Sequence, residues 1–206
     1  MPRRRRTPDE ARGEILGAAE SLLAEGGPAA VQVRAVAACL AITDAAVNYH
    51  FGTRDQLLLA LLHHGGRKLH AEVEEVSQAL ARGDCDLGEI VERLSQLYRN
   101  GYAELLVGLR QAGWRDRGKG LMSELVEAVH QRRPAPRPPI ADTQLAIAAL
   151  NQALLADALL GRSSRRAAGH TSPSGAREQR AWWVAALTTL LGLDDHAPAR
   201  SGQIRS

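Results

Sequence analysis

Four adjacent residues, Asn48 to Phe51, place an amide, a phenol, an imidazole and a phenyl ring side by side in a chain with only 3% aromatic residues. On an ideal helical wheel, one face of this segment carries Asp44, Ala45, Asn48 and Tyr49. An asparagine can hydrogen-bond to adenine or to a phosphate, and a tyrosine hydroxyl reaches backbone oxygens of a duplex. This face is therefore predicted to approach nucleic acid, although an ordinary amphipathic surface helix has the same pattern.

The opposite face of the wheel is mostly apolar. It carries Ala46, Val47, His50 and Phe51. We expect Val47 and Phe51 to lie in the core, and His50 to lie on the inner side of the helix.

A second group of side chains with chemical potential consists of His63, His64 and His70. His63 and His70 are seven residues apart and share a helical face. A metal site needs further ligands close by and supporting hydrogen bonds, whereas the glutamates that follow are typical of a solvated face. The chain carries no phosphate loop, nucleotide fingerprint or nucleophile elbow. A helical metal-binding enzyme is thus a distant alternative, and we assign no catalytic residue, metal or cofactor.

The bulk composition is that of an ordinary globular protein, with 206 residues, 45% of them hydrophobic and 24% charged. No apolar run reaches the roughly 18 residues of a membrane span, so a membrane partner is not expected. Two cysteines, Cys39 and Cys85, cannot build a disulfide framework and fit a reducing cytoplasm.

The net charge is +3, and positive charge is concentrated at the N-terminus. Residues 1–60 are neutral overall, but Arg3 to Arg6 supply four of their seven positive charges. Residues 1–6 are predicted to form a flexible basic arm that contacts a nucleic-acid backbone or minor groove. A solvated tail is the alternative.

Short helices must position the polar face. Thr7, Pro8 and Glu10 have the pattern of a capping box at the start of the first helix, which Gly26-Gly27-Pro28 should end. A second helix carries an apolar stripe that begins at Val33. Thr43 should cap a third helix that runs to Phe51, and Thr53 a fourth. Residues 32–51 therefore predict a helix-turn-helix within a domain of residues 7–53.

The remainder, residues 54–195, predicts a larger helical body, so the fold class is all-α. Alanine, leucine, arginine and glutamate favour helices throughout, and prolines exclude a helix across 133–139. The predicted helices are 85–114, 120–133, 140–161 and 177–193, with an exposed loop over 162–176 and a disordered tail over 196–206.

The segment "VQVRAVAACLAITDAAVNYHFGTRDQLLLALL" resembles the DNA-binding region of the TetR/AcrR family of transcriptional regulators. The pattern is carried by Val33, Arg34, Val36, Ala37, Ile42, Thr43, Val47, Tyr49, His50, Phe51, Thr53, Arg54, Leu57 and Leu58. The resemblance covers about residues 7 to 62. Five positions depart from the familiar pattern. Ala41 replaces the turn glycine, Asn48 stands where many members have tyrosine, and Arg54 replaces a lysine. In the second helix and just before it, Ala35 and Gln32 replace the usual aspartate and threonine.

The resemblance implies a role for each matching residue. Arg34 would meet a base edge or a phosphate, and the amides after Thr43 would bind a phosphate at a helix N-terminus. The residues implied to face the major groove are Ala45, Ala46 and Asn48. Those implied to contact the DNA backbone are Thr43, Asp44, Tyr49, His50 and Arg54.

The larger body would then hold an effector pocket and a dimer interface. Pocket candidates are Leu94, Tyr98, Tyr102, Leu105, Leu109, Trp114, Met122 and Val126, although plain core is the favoured interpretation of each. Dimer candidates are Leu145, Ala148, Gln152, Leu155, Leu159, Trp182 and Trp183, for which an intrachain core stripe is the alternative.

Together these features predict a homodimeric, ligand-responsive transcriptional repressor with an all-α, TetR-like fold. It would be cytoplasmic in a bacterium, and associated with the nucleoid when bound to double-stranded DNA at a palindromic operator. Its effector would be a small molecule of unknown identity. The alternative is a TetR-like activator, or a chromosome-organising protein, without a small-molecule switch.

Overall fold

The computed structural model describes residues 7–115 and 120–193, and all of its regular secondary structure is helical. The predicted basic arm, 1–6, and the predicted tail, 196–206, lie outside the described residues. The all-α prediction is confirmed. The helices are α1 (Pro8–Ala30), α2 (Val33–Cys39), α3 (Asp44–Phe51), α4 (Arg54–Arg82), α5 (Leu87–Leu97), a π-helical turn (Tyr98–Tyr102), α6 (Ala103–Gln111), α7 (Ser123–Gln131), α8 (Ile140–Ala167) and α9 (Gly175–Leu191).

The described residues form two compact units, 7–70 with 95–115 and 71–94 with 120–193. The first unit contains α1 to α3, the start of α4, the π turn and α6. Its core joins apolar side chains of α1 to α4 with Tyr102 and Leu105. The units therefore divide the chain elsewhere than at the predicted boundary after residue 53.

Helix α1 begins as predicted. The Thr7 hydroxyl accepts a hydrogen bond from the Glu10 amide at 3.2 Å, and the Glu10 carboxylate accepts one from the Thr7 amide at 2.8 Å. This is a complete capping box. At the other end, Gly26 and Gly27 interrupt the helical path, but helical structure resumes and runs to Ala30. The glycine pair is thus a break inside the element, not its end.

The prediction of one long helix over 85–114 is wrong. The helical path is interrupted at Asn100 and Gly101, and Gly101 has a φ of +89°. A β-carbon on Gly101 would lie 2.6 Å from the carbonyl oxygen of Leu23, so only glycine lets this turn sit on α1. A β-carbon on Gly65 of α4 would likewise lie 2.0 Å from the Tyr102 ring. Two glycines therefore accommodate the π turn against α1 and α4.

In the second unit, α8 continues beyond the predicted end at residue 161. The first six residues of the predicted 162–176 loop are helical, because serine, arginine and alanine all extend a helix at little cost. The helix stops before Gly169, whose φ is +79°, and the His170 amide bonds back to the Arg165 carbonyl at 2.8 Å. Helix α7 begins at Ser123, three residues later than predicted.

Helix α8 is long and apolar enough to cross a membrane by length and composition, with a mean hydropathy of 1.3 over its most apolar window. The expectation that no segment reaches this limit is therefore wrong. Within the second unit α8 packs against α7 and α9, which bury Thr143, Ile147, Leu150 and Leu154 on one side. A core helix of a globular protein passes the same test of length and composition.

Candidate nucleic-acid interface

The turn between α2 and α3 is closed by Ala41, which adopts a left-handed conformation with a φ of +52°. The Ile42 amide donates to the Ala37 carbonyl at 3.0 Å, and the Ala41 amide donates to the Ala38 carbonyl at 3.2 Å. This pair of bonds is a Schellman motif, in which the left-handed position usually holds glycine. The chain therefore makes the turn of a helix-turn-helix with an alanine in a strained conformation.

Helix α3 begins at its predicted cap. The Thr43 hydroxyl accepts a hydrogen bond from the Ala46 amide at 3.2 Å, and the helix runs to Phe51. The other amides of the first turn have no partner within the helix, and the helix dipole gives this end a positive partial charge. An anion such as a phosphate is favoured at this position.

The two faces of α3 divide as the wheel predicts. Val47 is fully buried and Phe51 is 8% exposed, whereas the Tyr49 side chain is 85% exposed. The exposed positions of the same segment are Thr43, Asp44, Ala45 and Asn48, and the half-buried ones are Ala46 and His50. The exposed face of α3 therefore presents the Asn48 amide and the Tyr49 phenol to solvent.

His50 lies at the border between these two faces. Its ring is edge-on to the Tyr49 ring, with the centroids 5.2 Å apart. The inner position predicted for His50 is therefore only partly observed.

Arg34 and Arg54 differ in what their side chains do. Arg34 is exposed in the first turn of α2. Arg54 donates from Nε to the Val31 carbonyl at 2.8 Å and from Nη2 to the Pro28 carbonyl at 2.6 Å. Its guanidinium therefore supports the connection between α1 and α2, and its predicted phosphate contact stays a prediction.

Sequence reasoning missed Arg12. Its Nη1 donates to the His50 carbonyl, and its guanidinium carbon lies 4.3 Å from the centroid of the Phe51 ring. Arg12 stands one turn before Ile15 and so continues the inward stripe of α1 to its N-terminal end. That spacing is the signal that would have placed it near α3.

A polar cluster around Glu20 connects α1 to the π turn and α4. The Glu20 carboxylate accepts hydrogen bonds from the Tyr102 hydroxyl at 2.9 Å and from Lys68 at 2.7 Å, and His64 Nε2 lies 3.9 Å away. Burial raises the pKa of the Tyr102 phenol, and the Glu20 charge raises it further. Burial lowers the pKa of His64, which outweighs the opposite effect of Glu20.

Comparison with known proteins relates the helix-turn-helix segment to a family of regulators. Residues 15–61, which contain α2 and α3, match the family of bacterial regulatory proteins called tetR. This segment therefore has the sequence pattern of the TetR family. Curated relatives of the chain include an HTH-type transcriptional regulator of Mycobacterium bovis and an HTH-type transcriptional repressor of Mycobacterium tuberculosis. Each is 39% identical over 115 residues, which are 50% of this chain and 60% of the relative. The chain thus spans about 60% of the length of these relatives.

Solved structures share the TetR-like fold over most of the chain. The multidrug binding protein EbrR, solved with imidazole, is 26% identical, with 93% of this chain and 98% of EbrR covered and a TM-score of 0.52. A TetR-family member from Streptomyces coelicolor is 24% identical, with 88% and 98% covered and a TM-score of 0.50. A structure that explains control of antibiotic production by bacterial hormones is 21% identical, with 88% and 98% covered and a TM-score of 0.58.

The predicted effector residues are divided between the two compact units. Leu94, Met122 and Val126 belong to the second unit, and the other five belong to the first. Tyr98, Tyr102 and Leu105 are buried, with exposed fractions of 8%, 3% and 1%.

Within the first unit, Leu105, Leu109 and Trp114 line a mostly apolar cleft of about 480 Å³. The cleft is also lined by Pro28, Arg54, Asp55, Gln56, Leu58, Leu59, Gly108 and Ala112. Sequence reasoning missed these residues because their contribution depends on the fold of the first unit.

The predicted dimer residues lie on α8 and α9. Leu145 and Trp182 are 70% and 64% exposed, Ala148 and Gln152 are exposed, and Leu155, Leu159 and Trp183 are half-buried. Leu160 and Leu190, which sequence reasoning missed, are 60% and 67% exposed. The alternative of an intrachain core stripe therefore fails for Leu145 and Trp182.

The three histidines do not gather a metal site among residues 7–115 and 120–193, where no group of three or more potential ligands is found. His63 lies near Trp114, with the ring centroids 6.5 Å apart, and His64 lies near Glu20. His70 is exposed.

Proposed function

We propose that this chain is a TetR-family, sequence-specific DNA-binding transcriptional repressor that binds a palindromic operator as a homodimer in the bacterial cytoplasm. The observation that carries the proposal is the exposed face of α3, on which the Asn48 and Tyr49 side chains are accessible to solvent. The N-terminal turn of the same helix favours a phosphate. An M. tuberculosis relative is named a repressor, which supports that direction of regulation.

In this proposal α3 is the recognition helix. Small side chains at Ala45 and Ala46 allow the helix to approach the floor of the major groove, where Asn48 can read a base edge. Tyr49 and His50, one turn later, bind the backbone, as does the N-terminal turn after Thr43. Arg34 adds a contact from the first turn of α2.

The exposed apolar side chains of α8 and α9 support the homodimer. Leu145, Leu160, Trp182 and Leu190 are large and exposed, although the chemistry of each favours burial. Small and polar residues between them, Ala148 and Gln152 on α8, allow a second pair of helices to approach closely. We infer a four-helix bundle made by α8 and α9 of two copies, because a two-fold axis would also present two recognition helices to one palindrome.

We further propose that the cleft beside Leu105, Leu109 and Trp114 is the effector site. Its volume suits a small molecule, and its lining is mostly apolar, so a compact apolar compound is the expected ligand class. Arg54 lines the same cleft and holds the Pro28 and Val31 carbonyls. A ligand that displaces Arg54 would therefore disturb the connection that leads into α2, and so weaken operator binding.

Selection of bound duplexes from a random DNA pool tests the DNA-binding function. We expect a two-fold symmetric sequence with half-site centres about one helical turn apart, or a multiple of that distance. An Asn48→Ala variant should lose preference at one base position in each half-site, whereas Ser163→Ala on α8 should select the wild-type sequence. A chain that recovers only random sequence, at low and moderate salt, would contradict the proposal.

The ligand switch and the direction of regulation need a separate measurement. Fluorescence of a dye that binds apolar clefts, such as anilinonaphthalene sulfonate, reports cleft occupancy, and Leu109→Arg should abolish its binding while operator affinity persists. Transcription from a selected operator placed at a promoter then separates repressor from activator. A probe that binds Leu109→Arg as well as the wild-type chain would show that the effector site lies elsewhere.

A further inference from the structure

The last turn of α3 poses an electrostatic problem for DNA binding. A helix C-terminus carries a negative partial charge from carbonyl groups without partners, and it therefore repels phosphates. Tyr49 and His50, the residues with proposed backbone contacts, lie in this turn. The Gly52 amide caps the Asn48 carbonyl at 2.7 Å. The His50 carbonyl needs a donor from another element.

Arg12 supplies that donor from α1. Its Nη1 bonds to the His50 carbonyl, and the guanidinium lies over the face of the Phe51 ring. The ring holds the planar group by a cation–π contact, so the side chain is fixed by two neighbours in α3 that are adjacent in sequence. Arg12 is exposed, and within the described part of the chain we see no partner for its Nε and Nη2.

A guanidinium held this way has donors left for an anion, and it adds one positive charge at the negative end of α3. We propose that Arg12 binds a DNA backbone phosphate while it holds the C-terminal end of α3 in position. The proposal rests on the proposed DNA-binding function. Arg12 precedes residues 15–61, which carry the family match.

The salt dependence of operator affinity tests the assignment. Each phosphate contact with duplex DNA contributes about 0.9 to the slope of log affinity against log salt concentration. Arg12→Met keeps an apolar stem over Phe51 but has neither charge nor donor, so the magnitude of the slope should fall by about 0.9 for each subunit, which is about 1.8 for a dimer bound to both half-sites. Arg12→Lys keeps the charge, so its slope should stay near that of the wild-type chain. Arg67→Met removes one charge from an exposed position in α4 and should leave the slope unchanged.

Hydrogen exchange in the free protein reports the positioning role. Amides of residues 48–52 should exchange faster in Arg12→Met, because the last turn of α3 loses a partner. Arg12→Gln retains a donor for the His50 carbonyl and serves if the methionine variant does not fold. In Arg12→Gln the amides of residues 48–52 should still exchange slowly, while the salt dependence of operator affinity should be reduced as in Arg12→Met.

Three results would contradict the proposal, and they have different meanings. A wild-type slope in a folded Arg12→Met or Arg12→Gln variant overturns the Arg12 assignment alone. Absence of sequence-selective binding by the wild-type chain overturns the proposed function as well. A slope that falls equally in Arg67→Met also overturns the assignment, since net charge would then explain the effect.

Discussion

At the scale of single residues, Ala41 is the clearest case of a side chain at odds with its backbone. An L-residue in the left-handed region costs about 1–2 kcal/mol, while glycine there costs about 0.5–1 kcal/mol through the greater freedom of the unfolded chain. Ala41→Gly should therefore raise the free energy of unfolding by about 1 kcal/mol and the midpoint by about 2–4 °C in a chain of this size. Thermal unfolding followed by circular dichroism measures the change.

Ala38→Gly is the matched control for Ala41→Gly. Ala38 is exposed within α2, and its helical conformation suits alanine, so glycine there should lower stability by about 1 kcal/mol. Destabilisation by both substitutions would show that the turn carries no strain at Ala41.

Arg54 gives a second residue-scale prediction. Arg54→Ala removes two hydrogen bonds to the carbonyls of Pro28 and Val31. The side chain is 34% exposed, so the loss should be only about 1–2 kcal/mol of unfolding free energy. Arg54→Lys keeps the charge but not the planar fork, and should lose a similar amount. Urea unfolding measures both variants.

Operator binding by the Arg54 variants separates support of the fold from contact with DNA. If Arg54 only supports the fold, the Arg54→Ala variant should show the same salt dependence of operator affinity as the wild-type chain. If that variant keeps its stability and the magnitude of its salt slope falls by about 0.9 for each subunit of the dimer, Arg54 contacts a phosphate as the family resemblance implies.

At the scale of elements, local sequence signals were enough to predict α2 and α3. The features that could not be predicted depend on contacts between residues distant in sequence. Thr43 caps α3, and the apolar spacing of α2 is contained within the helix itself. The break at Gly101 depends instead on the approach of the Leu23 carbonyl, which lies far away in sequence. Arg12 and Arg54 likewise act on backbone carbonyls distant in sequence. Such contacts exist only once the helices have packed.

The junction of α1, α4 and the π turn predicts a pH dependence of stability. Burial lowers the pKa of His64, so the folded chain favours the neutral imidazole. The stability linked to His64 is complete above its unfolded pKa of about 6.5 and is lost as the pH falls towards the lower folded pKa. The wild-type chain should therefore lose unfolding free energy between pH 7.5 and pH 5.5 in urea titrations.

His64→Gln should reduce this loss, because glutamine does not titrate. His70→Gln, at an exposed position of the same helix, should keep the full pH dependence. An equal loss in the wild-type chain and in His64→Gln would assign the effect to other groups.

At the scale of the whole molecule, the exposed side chains of α8 and α9 predict self-association. Leu145→Glu combined with Trp182→Glu places charges in the proposed four-helix interface, where burial of unpaired carboxylates is unfavourable. Sedimentation velocity should give a dimer for the wild-type chain and a monomer for this variant. Operator affinity should fall sharply, because two half-sites are no longer bound together.

Leu121→Glu is the control, since Leu121 is a 38% exposed leucine outside α8 and α9. It should leave the dimer intact. A monomeric wild-type chain that floats with phospholipid vesicles would instead assign the apolar surface of α8 to a membrane.

The first compact unit is built from two separate segments of the chain, which matters for the design of hybrid regulators. Tyr102 and Leu105 complete the core around α1 to α4, although they lie about 50 residues beyond α3 in the chain. A hybrid that exchanges only residues 1–53 would combine the DNA-binding helices of one regulator with the π turn and α6 of another. Specificity can be transplanted more safely by exchanging the solvent-facing side chains of α3 alone, which leaves every core partner in its native sequence.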